Sequence, residues 1–152
     1  MTEEKLNELG LTLPQVAKPL AAYVPALRVG NLVMTSGQVP LVEGVIKYKG
    51  KLGKDLTEED GKKAAEICAL NCLAAIKSVA GDLDKINRVV KLVVFVASAE
   101  GFVNQPEVAN GASELVGKVF GEAGKHTRSA VGVGELPKGS AVEIEMIVEL
   151  KN

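Results

Sequence analysis

Eight consecutive residues, Val89-Val-Lys-Leu-Val-Val-Phe-Val96, are apolar and mostly β-branched, with Lys91 the sole exception. A run of this kind predicts a strand covered on both faces, and therefore one inside a sheet. Its neighbours in sequence supply cover for one face only. Thr57 followed by Glu58, Glu59 and Asp60 resembles a capping box, and the chain from Ala64 to Ala80 is dense in Ala, Leu, Ile and Cys, with Gly81 as its stop. Beyond the strand, Asn104 and Pro106 mark a second helix start. Val108, Ala112, Leu115 and Val119 then form a helical stripe that ends at Gly121.

The runs Tyr23–Val29 and Leu32–Ser36 flank Gly30-Asn31, a favoured two-residue turn between antiparallel strands. Extended segments are also predicted over Arg128–Glu135 and Ala141–Leu150, with Leu-Pro-Lys-Gly between them as the turn. In the last run Val142, Ile144, Met146 and Val148 alternate with Glu143, Glu145 and Glu149, giving one apolar and one largely acidic face. The order ββαβαββ implies an α+β fold whose right-handed crossovers put both long helices on one face of a mixed sheet. The other face lacks an element to cover it, which predicts a homo-oligomer. At 152 residues the chain is expected to form one domain over 1–152. Residues 1–22 read as an N-terminal extension: a short helix capped by Thr2, carrying Glu3 and Glu4 and stopping at Gly10, then a Pro-containing segment through Pro19.

Formal net charge is −1, and aromatic residues make up 3% with no Trp. Neither a polyanion nor an anionic membrane surface would find an overall field or a stacking platform, so nucleic acid is an unlikely partner. No stretch approaches the ~20 apolar residues of a membrane span, and Met1–Gly10 carries acidic residues where a secretory leader would be basic. The expectation is a cytoplasmic protein with no membrane contact. Cys68 and Cys72 read as buried structural thiols, since neither a disulfide framework nor a metal site has enough further ligands. The Gly- and Lys-rich stretch from Gly44 to Lys54 reads as a solvated, flexible loop.

Local recognition must then fall to individual side chains, and Arg128 stands out. It begins a strand after a glycine-containing loop, in the setting His126-Thr-Arg-Ser-Ala-Val-Gly-Val-Gly-Glu-Leu-Pro137. A guanidinium offers a rigid fork matched to a carboxylate. A surface Arg in an ordinary salt bridge is the alternative on residues alone.

The segment from Thr127 to Ile144, with Arg-Ser, alternating Val, Leu-Pro-Lys-Gly and Val-Glu-Ile-Glu, resembles the signature of the reactive intermediate deaminase (Rid, YjgF-type) family, also labelled endoribonuclease L-PSP. Asn31-Leu-Val-Met-Thr-Ser-Gly-Gln-Val-Pro40 resembles its second motif, and Val89–Val96 its central strand. The resemblance implies a chorismate-mutase-like fold in a homotrimer with clefts between subunits. It implies hydrolysis of 2-enamino or 2-imino acids to 2-keto acids and ammonium, with neither metal nor cofactor. By the same resemblance Arg128 holds the substrate carboxylate, Glu143 places the attacking water, and Tyr23, Ser36, Gly37 and Asn110 line the pocket. At Ala130 many relatives carry a cysteine, so only the backbone carbonyl is available there. His126 stands where Pro or Ala is common, and extra residues near Gln105-Pro106 suggest a longer branch of the family. His126, the sole histidine, is either a general acid or base or a loop residue with a packing role. Two other functions stay open: a non-catalytic trimer that binds small carboxylates such as 2-keto acids, and a ribonuclease.

Overall fold

In the computed structural model, which describes residues 1–18 and 22–152, helix α1 (Thr2–Glu8) precedes a hairpin of β1 (Ala26–Val29) and β2 (Leu32–Thr35). A small second hairpin follows, β3 (Leu41–Val42) with β4 (Val45–Ile46). Next come α2 (Glu58–Ala80), β5 (Ile86–Ala97), α3 (Gln105–Phe120), β6 (Thr127–Val133) and β7 (Val142–Leu150). The main sheet has the order β1-β2-β7-β5-β6. Only β5 and β6 run parallel, so the sheet is mixed and its apolar strand β5 is interior, flanked by β7 and β6.

Thr57 caps α2 as expected: its Oγ1 accepts from the Asp60 N–H at 3.1 Å, and the Asp60 carboxylate accepts from the Thr57 N–H at 3.0 Å. Both long helices pack on one face of the sheet. There Val89, Leu92, Val94 and Val96 of β5 and Val142, Ile144, Met146 and Val148 of β7 are fully buried against Ala65, Cys68 and Cys72 of α2 and Val108 and Ala112 of α3. The thiols behave as core groups. Burial drives the Cys68 pKa well above its ordinary value and that of Cys72 up to about 12, and both sulfurs lean on β7 carbonyls. On the opposite face, Leu27, Val29, Leu32 and Val131 stay 38–58% exposed.

Three expectations change in detail and a fourth is refined. The first strand starts at Ala26 instead of Tyr23, because Pro25 has no N–H to give a ladder. The Leu-Pro-Lys-Gly turn lies between the two extended segments as expected, with the added detail that β7 inserts between β2 and β5, so the turn carries the chain across the end of β5. The Gly- and Lys-rich stretch is ordered. Leu52 is fully buried and exchanges backbone hydrogen bonds with Ala97 and Ala99, and the Tyr48 carbonyl accepts from the Ala141 N–H at 3.0 Å. Thr2 is the first residue of α1 and not its cap, because its hydroxyl and N–H both donate to Asp84 Oδ1, at 2.7 and 2.8 Å. The end of the Pro-containing segment, at Pro19, lies outside the described residues. No helix among the described residues is long and apolar enough to cross a membrane.

Candidate functional site

Strand β6 is a sheet edge, and Arg128 lies opposite buried Leu92 of β5. Strand alternation therefore directs its side chain to the helix-covered face, beneath α3. Asn110 and Ser113, three residues apart, occupy one side of that helix. Arg128 Nη1 donates to Asn110 Oδ1 at 2.8 Å and to Ser113 Oγ at 3.1 Å. Ser113 Oγ is also 2.9 Å from His126 Nε2, and His126 Nδ1 is 2.7 Å from the Gly124 carbonyl. Among the described residues Arg128 Nε and Nη2 make no hydrogen bond, and no carboxylate lies within ion-pair distance of the guanidinium. A half-buried cation without a counter-ion is an unusual arrangement, and its Nε/Nη2 edge has no protein partner among the described residues. Ala130 lies on the same face and packs against the core, offering no polar side chain.

A second group surrounds a cavity of about 320 Å³, whose lining includes Lys18, Tyr23, Gly37, Gln38, Lys138 and Glu143. Burial, and secondarily the charge of Glu145, push the Glu143 carboxyl above its ordinary pKa. Gly37 makes room for it: a Cβ there would sit 2.1 Å from Glu143 Oε1. Tyr23 is half exposed. Ser36 adjoins this group, but its hydroxyl donates to the Val24 carbonyl at 2.6 Å and its N–H to the Pro25 carbonyl at 2.9 Å. Its role here is to tie the approach to β1 onto the end of β2.

The two groups occupy opposite faces. Glu143 pairs with Phe95, which pairs with Val131, on the open side of the sheet, whereas Arg128 aligns with Leu92 and Met146 on the covered side. Within one copy, then, Tyr23, Gly37 and Glu143 come together, Arg128, Asn110 and Ala130 come together, and the sheet separates the two sets. The sequence reading did not single out Ser113, Lys18 or Lys138. Ser113 was detectable in principle from its helical spacing to Asn110, and Lys138 from its place in the Leu-Pro-Lys-Gly motif; Lys18 carries no such signal.

The chain is similar to known proteins along nearly its whole length. A family model described as "YjgF/chorismate_mutase-like, putative endoribonuclease" matches residues 3–150. Protein TCP17 of Trypanosoma cruzi is 46% identical over 148 residues, covering 97% of this chain and 92% of that protein. The crystal structure of an Agrobacterium tumefaciens protein superposes with a TM-score of 0.92 at 48% identity, covering 99% of this chain and 92% of the other. The 2-iminobutanoate/2-iminopropanoate deaminase of Dermatophagoides farinae is 28% identical over 141 residues, covering 93% of this chain and 95% of that enzyme.

Proposed function

Because the chain belongs to the YjgF/chorismate mutase-like family, we propose that it hydrolyses small 2-imino or 2-enamino acids to 2-keto acids and ammonium, in a cleft shared between copies of a homotrimer. The observation that carries this reading is the guanidinium of Arg128, half-buried, without a carboxylate partner among the described residues, and with the Nε/Nη2 edge open. The exposed aliphatic residues on the open sheet face, which a neighbouring copy would cover, support the assembly. So does the separation of Arg128 from Glu143 across the sheet, since a second copy can bring the two chemistries to one place.

In this reading Arg128 binds the substrate carboxylate and fixes the orientation of C2. An enamine first gains a proton at its terminal carbon to become the imine. Water then attacks C2: its oxygen forms the new C–O bond as Glu143 accepts one proton. That proton passes to the nitrogen, which has received the C=N π electrons, to give a carbinolamine; the remaining hydroxyl proton is then carried to the same nitrogen, the C–N bond breaks as the C2 ketone forms, and the ammonia released is protonated in water. A carboxyl with a raised pKa suits both halves of this exchange. The lining lysines, Lys18 and Lys138, add positive charge around the anionic substrate.

The deciding assay generates 2-aminoacrylate in situ with a serine or threonine dehydratase and follows pyruvate. The proposal predicts faster pyruvate release with the protein present; no acceleration, together with saturable 2-keto acid binding, would make the chain a binding protein instead. Since the base works ionised and burial raises its pKa, kcat/KM is expected to fall on the acid side with a midpoint above the ordinary Glu value of about 4.3. A limb at or below that value contradicts the assignment. Gly37→Ala crowds the Glu143 side chain from Cγ to Oε1, and none of the three nearest atoms is backbone. It should leave the thermal midpoint within about 3 °C of the parent and lower kcat/KM on the order of tenfold. An unchanged kcat/KM would exclude Glu143 from the reaction.

A further inference from the structure

We infer that Ser113 and His126 are positioning residues, which hold the Arg128 guanidinium in one orientation through a hydrogen-bond chain directed from the Gly124 carbonyl; this rests on the reading of Arg128 as the carboxylate anchor. The direction of each bond follows from the first. The Gly124 carbonyl can only accept, so His126 Nδ1, at 2.7 Å, must carry a proton. In the neutral imidazole Nε2 is then an acceptor, and the single hydroxyl proton of Ser113 goes to it across 2.9 Å. Ser113 Oγ is left only its lone pairs to offer, and it accepts from Arg128 Nη1 at 3.1 Å. Asn110 Oδ1 takes the other Nη1 proton at 2.8 Å. Both Nη1 protons are thereby engaged from the protein side, and the edge that remains is the one that fits a carboxylate two-to-two.

The fold supplies the fixed end of this chain. Gly124 closes a tight 3-10 turn, Gly121–Gly124, that presses on the end of α3. A Cβ at Gly124 would lie 2.5 Å from the Val116 carbonyl oxygen, so a glycine is what allows the turn to approach the helix and bring its own carbonyl beneath His126. Without Ser113, Arg128 would keep Asn110 alone and could rotate about that single contact.

Two measurements test this independently. His126 is the only histidine, so ¹⁵N spectra of the labelled, full-length protein report one imidazole. The chain predicts the Nδ1–H tautomer, the minor form of free histidine, and an Nε2–H tautomer would overturn it whatever Arg128 does. The second measurement is calorimetric titration with 2-oxobutanoate. Ser113→Ala and His126→Asn are each expected to raise Kd about five- to tenfold, and Ser113→Thr, which restores the hydroxyl, to return it within about twofold of the parent. The double variant should be no more than about twofold weaker than the worse single one, because both act through the same contact. Parental Kd in both single variants while Arg128→Lys weakens binding would leave the anchor standing and remove the relay. Parental Kd in Arg128→Lys as well would remove the anchor, and the relay with it.

Discussion

Arg128→Lys is expected to weaken binding of 2-oxobutanoate about 10- to 100-fold while moving the thermal midpoint by no more than about 2 °C. The two halves of this expectation have different origins. Arg128 works in two directions at once: Nη1 is held by Asn110 and Ser113, and Nε with Nη2 remains open to a ligand. An ammonium has one centre and a flexible stem, so it can satisfy the helix or the ligand but cannot present a rigid two-point edge while anchored from behind. Stability is insulated because Arg128 sits on an edge strand, makes no ion pair among the described residues, and lies outside the packed cluster of β5, β7 and α2. Calorimetry and a melting curve on the same preparation check both. Parental affinity in the lysine variant would remove Arg128 from ligand capture. A large loss of stability would mark it as a structural residue.

Much of the fold was legible because its signals are local. The capping box at Thr57, the helical stripe from Val108 and the alternation of Val142, Ile144, Met146 and Val148 with glutamates each follow from residue chemistry, and each sits where its pattern implies. What escaped was non-local. That β7 lies between β2 and β5 is decided by which strands share a core, and nothing in Leu-Pro-Lys-Gly distinguishes a hairpin turn from a bridge over a strand. The order of the Lys-rich stretch depends on partners distant in sequence: Leu52 is buried and its backbone pairs with Ala97 and Ala99, and the Tyr48 carbonyl pairs with Ala141. At the candidate site, Arg128 and Glu143 could be picked out by resemblance, but their placement on opposite faces could not. That depends on strand parity carried across β5. Ser113 has only a weak signal, its helical spacing to Asn110, which gains meaning once Arg128 and His126 are seen on either side of its hydroxyl.

If Arg128 of one copy and Glu143 of another complete the proposed site, two defective chains should complement each other when they assemble together. Arg128→Ala keeps Glu143, and Glu143→Ala keeps Arg128; each alone is expected to be nearly inactive toward in situ generated 2-aminoacrylate. When the two are coexpressed in equal amounts so that subunits assort at random, a site built from Arg128 of one copy and Glu143 of the next is intact wherever the right pair are neighbours. In any closed ring that is about one site in four, so the mixture should recover about a quarter of parental activity. Assembly is needed for the recovery, so blending the purified, non-exchanging proteins should give none. Activity of the coexpressed mixture no greater than the average of the two single variants would contradict the account, because it would mean that Arg128 and Glu143 must come from the same chain.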